Sequence, residues 1–216
     1  MKIVIFYTNW GRGRPIEIAL TEAGHSVDAN PLLIRTTLLT LDEYDLAVVA
    51  GSDYILTEKE IAKPKFGTVN CHAGKLPEYR GGSPLNWALI NGEKRIHQCL
   101  IQMDSGIDTG DILYEASFKP GKNDTIDDLH EMVNKAFPQM VLMAVEELEE
   151  CGHMQSRPQL IKGRVARYWP QRTAADSEIT LDMPPAQVYN KVRACREPYP
   201  AFIRLGKHSY KMELQK

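Results

Sequence analysis

The chain is poor in cysteine. Its four, Cys71, Cys99, Cys151 and Cys195, form no Cys-x-x-Cys pair. That speaks against a disulfide framework and against a zinc site, and for a reducing compartment. Long apolar runs are missing as well. The opening MKIVIFYTNWGRGRP is too briefly apolar for a secretory signal, and no run approaches the roughly 20 residues of a membrane span. The expectation is a cytoplasmic protein with no membrane partner. The opening also lacks the full Gly-x-Gly-x-x-Gly fingerprint with a later acid, so no nicotinamide cofactor is expected.

What is present fits a soluble globular protein. Of 216 residues, 43% are hydrophobic and 25% charged, enough for one α/β domain of roughly 150 residues and a small appendage. The division expected is 1–156 and 157–216. The formal net charge of −2 hides an asymmetry: residues 157–216 carry 12 Lys and Arg against 5 Asp and Glu, while residues 1–156 carry 14 against 23. A basic end on an acidic body suggests an anionic partner: a nucleotide diphosphate, a nucleic acid or the acidic body of a second subunit. A plain solvated surface is the alternative.

Lys2 to Tyr7 is β-branched and apolar and reads as a buried parallel strand. Gly11 and Gly13 then suit a turn, and Pro15 the first turn of a helix to about Ala23. Arg12 and Arg14 are candidate anion contacts. His25 to Leu33 is a weak strand, and Asp45 to Ala50 a buried one. Residues 52–64 read as loop and short helix. Thr125 suits an N-cap. From it, Leu129, Met132, Val133, Ala136, Met140, Ala144 and Leu148 recur at helical spacing up to Gly152, with a kink expected at Pro138.

The chemistry concentrates in residues 67–115. Asn70 and His72 follow a strand-like run, and positions two apart in a strand face one side. Asp108 lies 38 residues beyond Asn70 in a glycine-rich turn. A helix over 83–92 and a strand over 97–103 between them make a crossover to a parallel neighbour strand, which returns Asp108 to His72. Alone, each residue has an ordinary structural reading: the Asn a turn former, the His a satisfied core residue, the Asp a cap. Cys71, between Asn70 and His72, turns away and reads as core.

Together these residues sit in three ordered blocks. Asn70-x-His72 is followed by Leu76-Pro77-x-Tyr79-Arg80-Gly81-x-x-Pro84, then by Met103-Asp104-x-Gly106-Ile107-Asp108-Thr109-Gly110-Asp111. The arrangement resembles the formyltransferases that use 10-formyltetrahydrofolate, most closely the sugar N-formyltransferases. It covers about 45–170 well and 170–203 more loosely, where Leu181-Asp182 replaces an Asp-Trp pair. The resemblance implies an α/β fold, a Rossmann-like, mostly parallel sheet flanked by helices, with a short α+β C-terminal appendage. It implies Asn70, His72 and Asp108 as catalytic residues. The folate would lie against Tyr54, Ile55, Leu56, Met103, Asp104 and Gly106, where main-chain groups can read a pterin edge. The acceptor would meet Lys75, Tyr79, Arg80, Gly81, Trp169 and Arg172. No metal is expected. The longer members carry about one more βα unit between the first strand and the strand over Asp45 to Ala50.

Formyl transfer needs donors aimed at a tetrahedral oxyanion and a proton path from amine to leaving nitrogen. Asn70 is always a donor. His72 either donates to the oxyanion or shuttles the proton, and Asp108 either orients His72 or accepts the amine proton. The acceptor expected is the amine of a nucleotide-linked amino sugar. Methionyl-tRNA and glycinamide ribonucleotide are the alternatives, and a folate-binding regulatory module without turnover is the non-enzyme one. Nucleic acid is disfavoured because the tRNA enzyme's C-terminal barrel has no room. The proline-rich appendage, completing its core against a second subunit, points to a homodimer.

Overall fold

The computed structural model describes residues 1–8, 10–29, 40–52, 54–159 and 163–214. In chain order its elements are β1 (Lys2–Phe6), α1 (Trp10–Glu22), β2 (Ser26–Asp28), β3 (Leu46–Val49), α2 (Glu58–Ile61), β4 (Thr68–His72), β5 (Arg80–Gly81), α3 (Pro84–Ile90), β6 (Ile96–Gln102) and β7 (Ile112–Phe118). α4 (Ile126–Cys151), β8 (Tyr168–Trp169), β9 (Glu178–Ile179), α5 (Pro185–Ala194), β10 (Phe202–Leu205) and β11 (His208–Lys211) follow. Six strands form one sheet in the order β2-β1-β3-β4-β6-β7.

Both faces of the inner strands are covered, which is why they read as unbroken apolar runs. Alternation along β1 sends Ile3, Ile5 and Tyr7 to one core, with α1 and α4 over it. Val4 and Phe6 go to a smaller cluster with Ala47, Val49, Leu56 and Ile61 on the other face. Helix α4 starts where Asp128 accepts from the Thr125 N–H (2.8 Å) and hydroxyl (2.7 Å). It ends at Gly152, which takes a left-handed φ of 75°. Its buried stripe includes Leu129, Val133, Phe137, Met140, Ala144 and Leu148. Each of these side chains larger than alanine contributes about 2 kcal/mol by leaving water.

Four expectations change. The β4–β6 pair, expected to be parallel, is antiparallel, with Asn70 opposite Ile101 and His72 opposite Cys99. The β1–β2, β1–β3 and β3–β4 pairs are parallel and β6–β7 is antiparallel, so the sheet is mostly parallel with an antiparallel side. α3 leads to the strand's far end rather than carrying the chain back to its near end. Asp108 instead arrives on the β6–β7 connection, which folds back over β4. Gly11 and Gly13 lie inside α1 rather than in a turn, and Pro15 falls beyond the helix's first turn. Gly13 serves close packing: a Cβ there would overlap the ring of fully buried Tyr7. Met132 is 37% exposed; one helical step round, Val133 takes the core position. The reading of a strand over 25–33 is met by β2 for Ser26–Asp28; residues 30–39 lie outside the described residues.

The C-terminal segment is stitched to the body. Arg157 and Ile112 exchange main-chain bonds of 2.8 and 2.9 Å, and β8 pairs in parallel with β5. Ile179, Val192, Ala194, Cys195 and Ala201 enter the same core as the sheet. Its charges also meet the body: Arg157 pairs with Glu115, Arg164 with Glu78 at 2.7 Å and Arg196 with Asp127 at 2.5 Å. These three arginines of the basic end are thus paired within the chain. Among the described residues no helix is long and apolar enough to cross a membrane.

Gly13→Ala should lower stability by about 1–3 kcal/mol through overpacking, even though alanine favours a helix by about 1 kcal/mol over glycine. A denaturant midpoint at or above the parent's would show that the Tyr7 ring can yield.

Candidate active site

The site is built where β4 ends. The pleat turns Val69 and Cys71 into the helix-covered core and puts Asn70 and His72 on the opposite side. The β6–β7 connection lays Asp108 across them. Asn70 Nδ2 donates to Asp108 Oδ1 at 3.1 Å, and His72 Nδ1 stands 3.4 Å from the same oxygen. The other carboxylate oxygen, Oδ2, accepts the Gly81 main-chain N–H at 2.8 Å. Gly81 itself has φ 92°, and a Cβ there would overlap the Trp169 carbonyl on the paired strand β8. Only glycine brings this N–H to the carboxylate.

His72 is buried and its Nε2 lies 2.7 Å from the Tyr79 carbonyl. A carbonyl only accepts, so Nε2 carries a proton and Nδ1 is the nitrogen left to exchange one. Burial works against the charge on Asp108, but His72, the Gly81 N–H and Arg80 outweigh it and hold the carboxyl below the ordinary carboxylate range. Cys71 is buried, and burial pushes its thiol up to about 12; it is a core residue, not a nucleophile.

The loop that carries Asp108 is closed on itself. Asp104 accepts from the Gly106 N–H at 3.1 Å and from the Thr109 hydroxyl, and the Met103 N–H donates to the Thr68 carbonyl at 2.8 Å. Asp108 has φ 50°, a left-handed conformation that aspartate tolerates better than most residues. Gln159, which the sequence reading passed over, is buried beneath this loop. Its Nε2 donates to the Asp108 carbonyl at 2.9 Å and the Gly110 carbonyl at 2.6 Å, and its Oε1 accepts from Arg80. A lone glutamine after a proline carries no chemical signature, so no sequence pattern could have singled it out.

After β3, Tyr54 and Ile55 are exposed, at 37% and 80%, while Leu56 packs into the smaller core. The main-chain groups of Ile55 and Leu56 make no hydrogen bond to another described residue. The acceptor candidates fall into two groups. Gly81 touches Asp108 directly, and Lys75 is half-exposed in an ion pair of 3.4 Å with Glu78. The others are engaged within the protein. Arg80 is buried against Gln159 and also donates to the Tyr168 hydroxyl at 3.0 Å. Tyr79 donates to Glu93 at 2.8 Å and stacks on Trp169 with ring centroids 5.4 Å apart. Trp169 in turn stacks on Trp87 at 5.3 Å and donates to the Glu78 carbonyl at 3.0 Å. Arg172 is buried beside Ser177 and the Tyr199 carbonyl, at 2.6 and 3.0 Å. Near the chain start, Arg14 is exposed and paired with Glu17. Arg12 donates to Asn134 Oδ1 at 3.2 Å and lies over the Phe137 ring. It has no carboxylate within ion-pair distance among the described residues. No group of three His, Cys, Asp or Glu suited to a metal ion occurs among the described residues.

A mostly parallel sheet between helices, with an amide, an imidazole and a carboxylate gathered over one strand, defines an α/β protein with a polar cluster at a strand end. Residues 35–145 match the family model for formyl transferase, and the chain belongs to that family. The methionyl-tRNA formyltransferase of Caldanaerobacter subterraneus subsp. tengcongensis is 33% identical over 156 residues, which are 72% of this chain and 49% of that protein. The chain thus spans about half the length of this curated relative. HypX from Aquifex aeolicus, solved in complex with tetrahydrofolic acid, superposes with a TM-score of 0.81 at 20% identity, over 99% of this chain and 37% of that one. A sugar N-formyltransferase from a Shewanella species superposes with a TM-score of 0.78 at 19% identity, over 99% of this chain and 97% of that one. At these identities the two solved structures establish the fold.

The depressed Asp108 carboxyl has a consequence for acid stability. The unfolded chain takes up this proton near the ordinary value of about 3.9, before the folded one does. Stability is therefore present above that pH and is lost as pH falls through the lower folded value. Asp108→Asn should remove part of this loss: the gap in unfolding free energy between parent and variant at pH 7 should narrow below about pH 4. A gap that stays constant down to pH 2.5 would mean Asp108 is not held in its charged form.

Proposed function

We propose that this chain transfers a formyl group from 10-formyltetrahydrofolate to the amine of a nucleotide-linked amino sugar. The observation that carries the chemistry is the convergence of Asn70, His72 and Asp108 from two separate elements. The free main-chain edge at Ile55 and Leu56 suits the donor–acceptor rim of a pterin, and exposed Tyr54 and Ile55 offer its ring an apolar side. The folate supplies the activated formyl carbon.

The residues then divide the work. The acceptor amine attacks the formyl carbon and forms the new C–N bond. The carbonyl oxygen becomes an oxyanion, for which the second N–H of Asn70 and the Nδ1 proton of His72 are donors. Asp108, held charged between His72 and Gly81, takes the proton from the amine. The bond from carbon to the folate nitrogen breaks as that nitrogen receives a proton relayed through His72. Formamide and tetrahydrofolate result.

Two features favour a nucleotide sugar over tRNA. A tRNA needs an open cationic surface that contacts many phosphates, and three arginines of the basic segment are already paired with the body. A diphosphate needs only one or two well-placed guanidinium groups. Arg12, which has no carboxylate partner among the described residues, sits at the same end of the sheet as the site, its guanidinium beside Gly51. A methionyl-tRNA acceptor is the second reading, favoured by the name of the 33%-identical relative. A homodimer and a cytoplasmic setting complete the proposal.

His72→Ala and Asp108→Ala should each lower turnover by at least about 100-fold; rates within a few-fold of the parent in both would take them out of the chemistry. Assayed with formyltetrahydrofolate, the purified protein should formylate nucleotide-linked amino sugars and leave charged initiator tRNA unmodified. Formylation of the tRNA alone would replace the acceptor and leave the transfer chemistry intact.

A further inference from the structure

We infer that Gln159 is a positioning residue for this reaction: one buried amide clamps the Asp108 loop to the strand whose main chain holds the Asp108 carboxylate. The inference rests on the proposed formyl transfer. Gln159 itself touches none of the reacting groups.

The geometry uses the whole capacity of the side chain. A carboxamide has two N–H donors and an oxygen with two lone pairs. Here both donors of Nε2 are taken, by the Asp108 carbonyl at 2.9 Å and the Gly110 carbonyl at 2.6 Å. Both lone pairs of Oε1 are taken by Arg80, from Nε at 3.0 Å and Nη2 at 2.8 Å. The orientation of the amide follows, since the flipped form would set donor against donor and acceptor against acceptor. Neither a carboxylate nor an amine could replace it, because one lacks donors and the other lacks acceptors.

The two things joined are the two things that fix Asp108. On one side is its own backbone, at φ 50°, whose carbonyl is anchored. On the other is Arg80, whose neighbour Gly81 gives its N–H to Asp108 Oδ2 at 2.8 Å. Backbone and carboxylate of the same residue are thus referred to a single buried group. That group is itself tethered two residues upstream, where Arg157 and Ile112 exchange main-chain bonds at the start of β7. Gln159 is 2% exposed, so bulk solvent does not compete for these bonds, and a variant of similar volume leaves no room for a water to replace them.

Two variants separate positioning from mere scaffolding. Gln159→Met removes both sets of bonds at similar volume. Gln159→Glu keeps the acceptor for Arg80 but sets an oxygen against the two carbonyls. Each should lower kcat by about 10- to 100-fold, as expected for a misplaced catalytic group, with KM for the folate and the acceptor within about threefold of the parent. Should Gln159→Met fail to fold, Gln159→Glu carries the test. A folded variant with kcat within twofold of the parent, or one whose loss lies in KM alone, would overturn the inference. A second measurement needs no turnover. The denaturant-midpoint shifts of Asp108→Asn and Gln159→Met should be non-additive, because the two residues share one network. Additive shifts would overturn the clamp. Coupling in a protein that formylates no amine would leave the clamp standing and sink the proposed reaction instead.

Discussion

A carboxylate taken out of water must be compensated by charge and by hydrogen bonds, or it gives up its charge. Asp108 is compensated on every side the structure shows: by the amide of Asn70, the ring of His72, the N–H of Gly81 and the nearby guanidinium of Arg80. The partners come from three local contexts. Asn70 and His72 need the pleat of β4. Gly81 needs β8 beside it, with a backbone that only glycine can adopt. Arg80 needs Gln159. Much of the molecule's irregular structure therefore exists to satisfy one charged group over the end of one strand.

The same requirement explains how the C-terminal segment relates to the body. It is a separate stretch by charge, yet it supplies Gln159 beneath the Asp108 loop, Trp169 against Tyr79 and the strand that shapes Gly81. Three of its arginines, Arg157, Arg164 and Arg196, pair with carboxylates of the acidic body. The asymmetry of charge along the chain, which invites the idea of an external anion, is in part an internal complementarity. Exposed pairs of this kind add little stability singly.

The helices and strands with strong local signals were legible from their residues. β1, β3 and α4 follow from their apolar patterns and from the Thr125 and Gly152 boundaries. The glycines of the opening were misread because glycine serves two purposes that look alike in one dimension. It can free a turn, or it can let a helix approach a strand, and Gly13 does the second against Tyr7. The parallel reading of β6 failed for a related reason: a helix between two strands permits a crossover but does not require one.

Residue types and their spacing alone determined that Asn70 and His72 share one side of a strand, that Cys71 turns inward, and that Asp108 sits in a tight polar turn. Those are consequences of backbone geometry over a few residues. Only the tertiary structure decided that Asp108 reaches Asn70 and His72 by folding a hairpin connection back, that Arg80 and Arg172 are buried against other parts of the chain, and that Gln159 joins the two halves of the site. Such contacts join residues as many as 79 positions apart, and whether two distant polar groups meet depends on how the whole core packs, which no local pattern records.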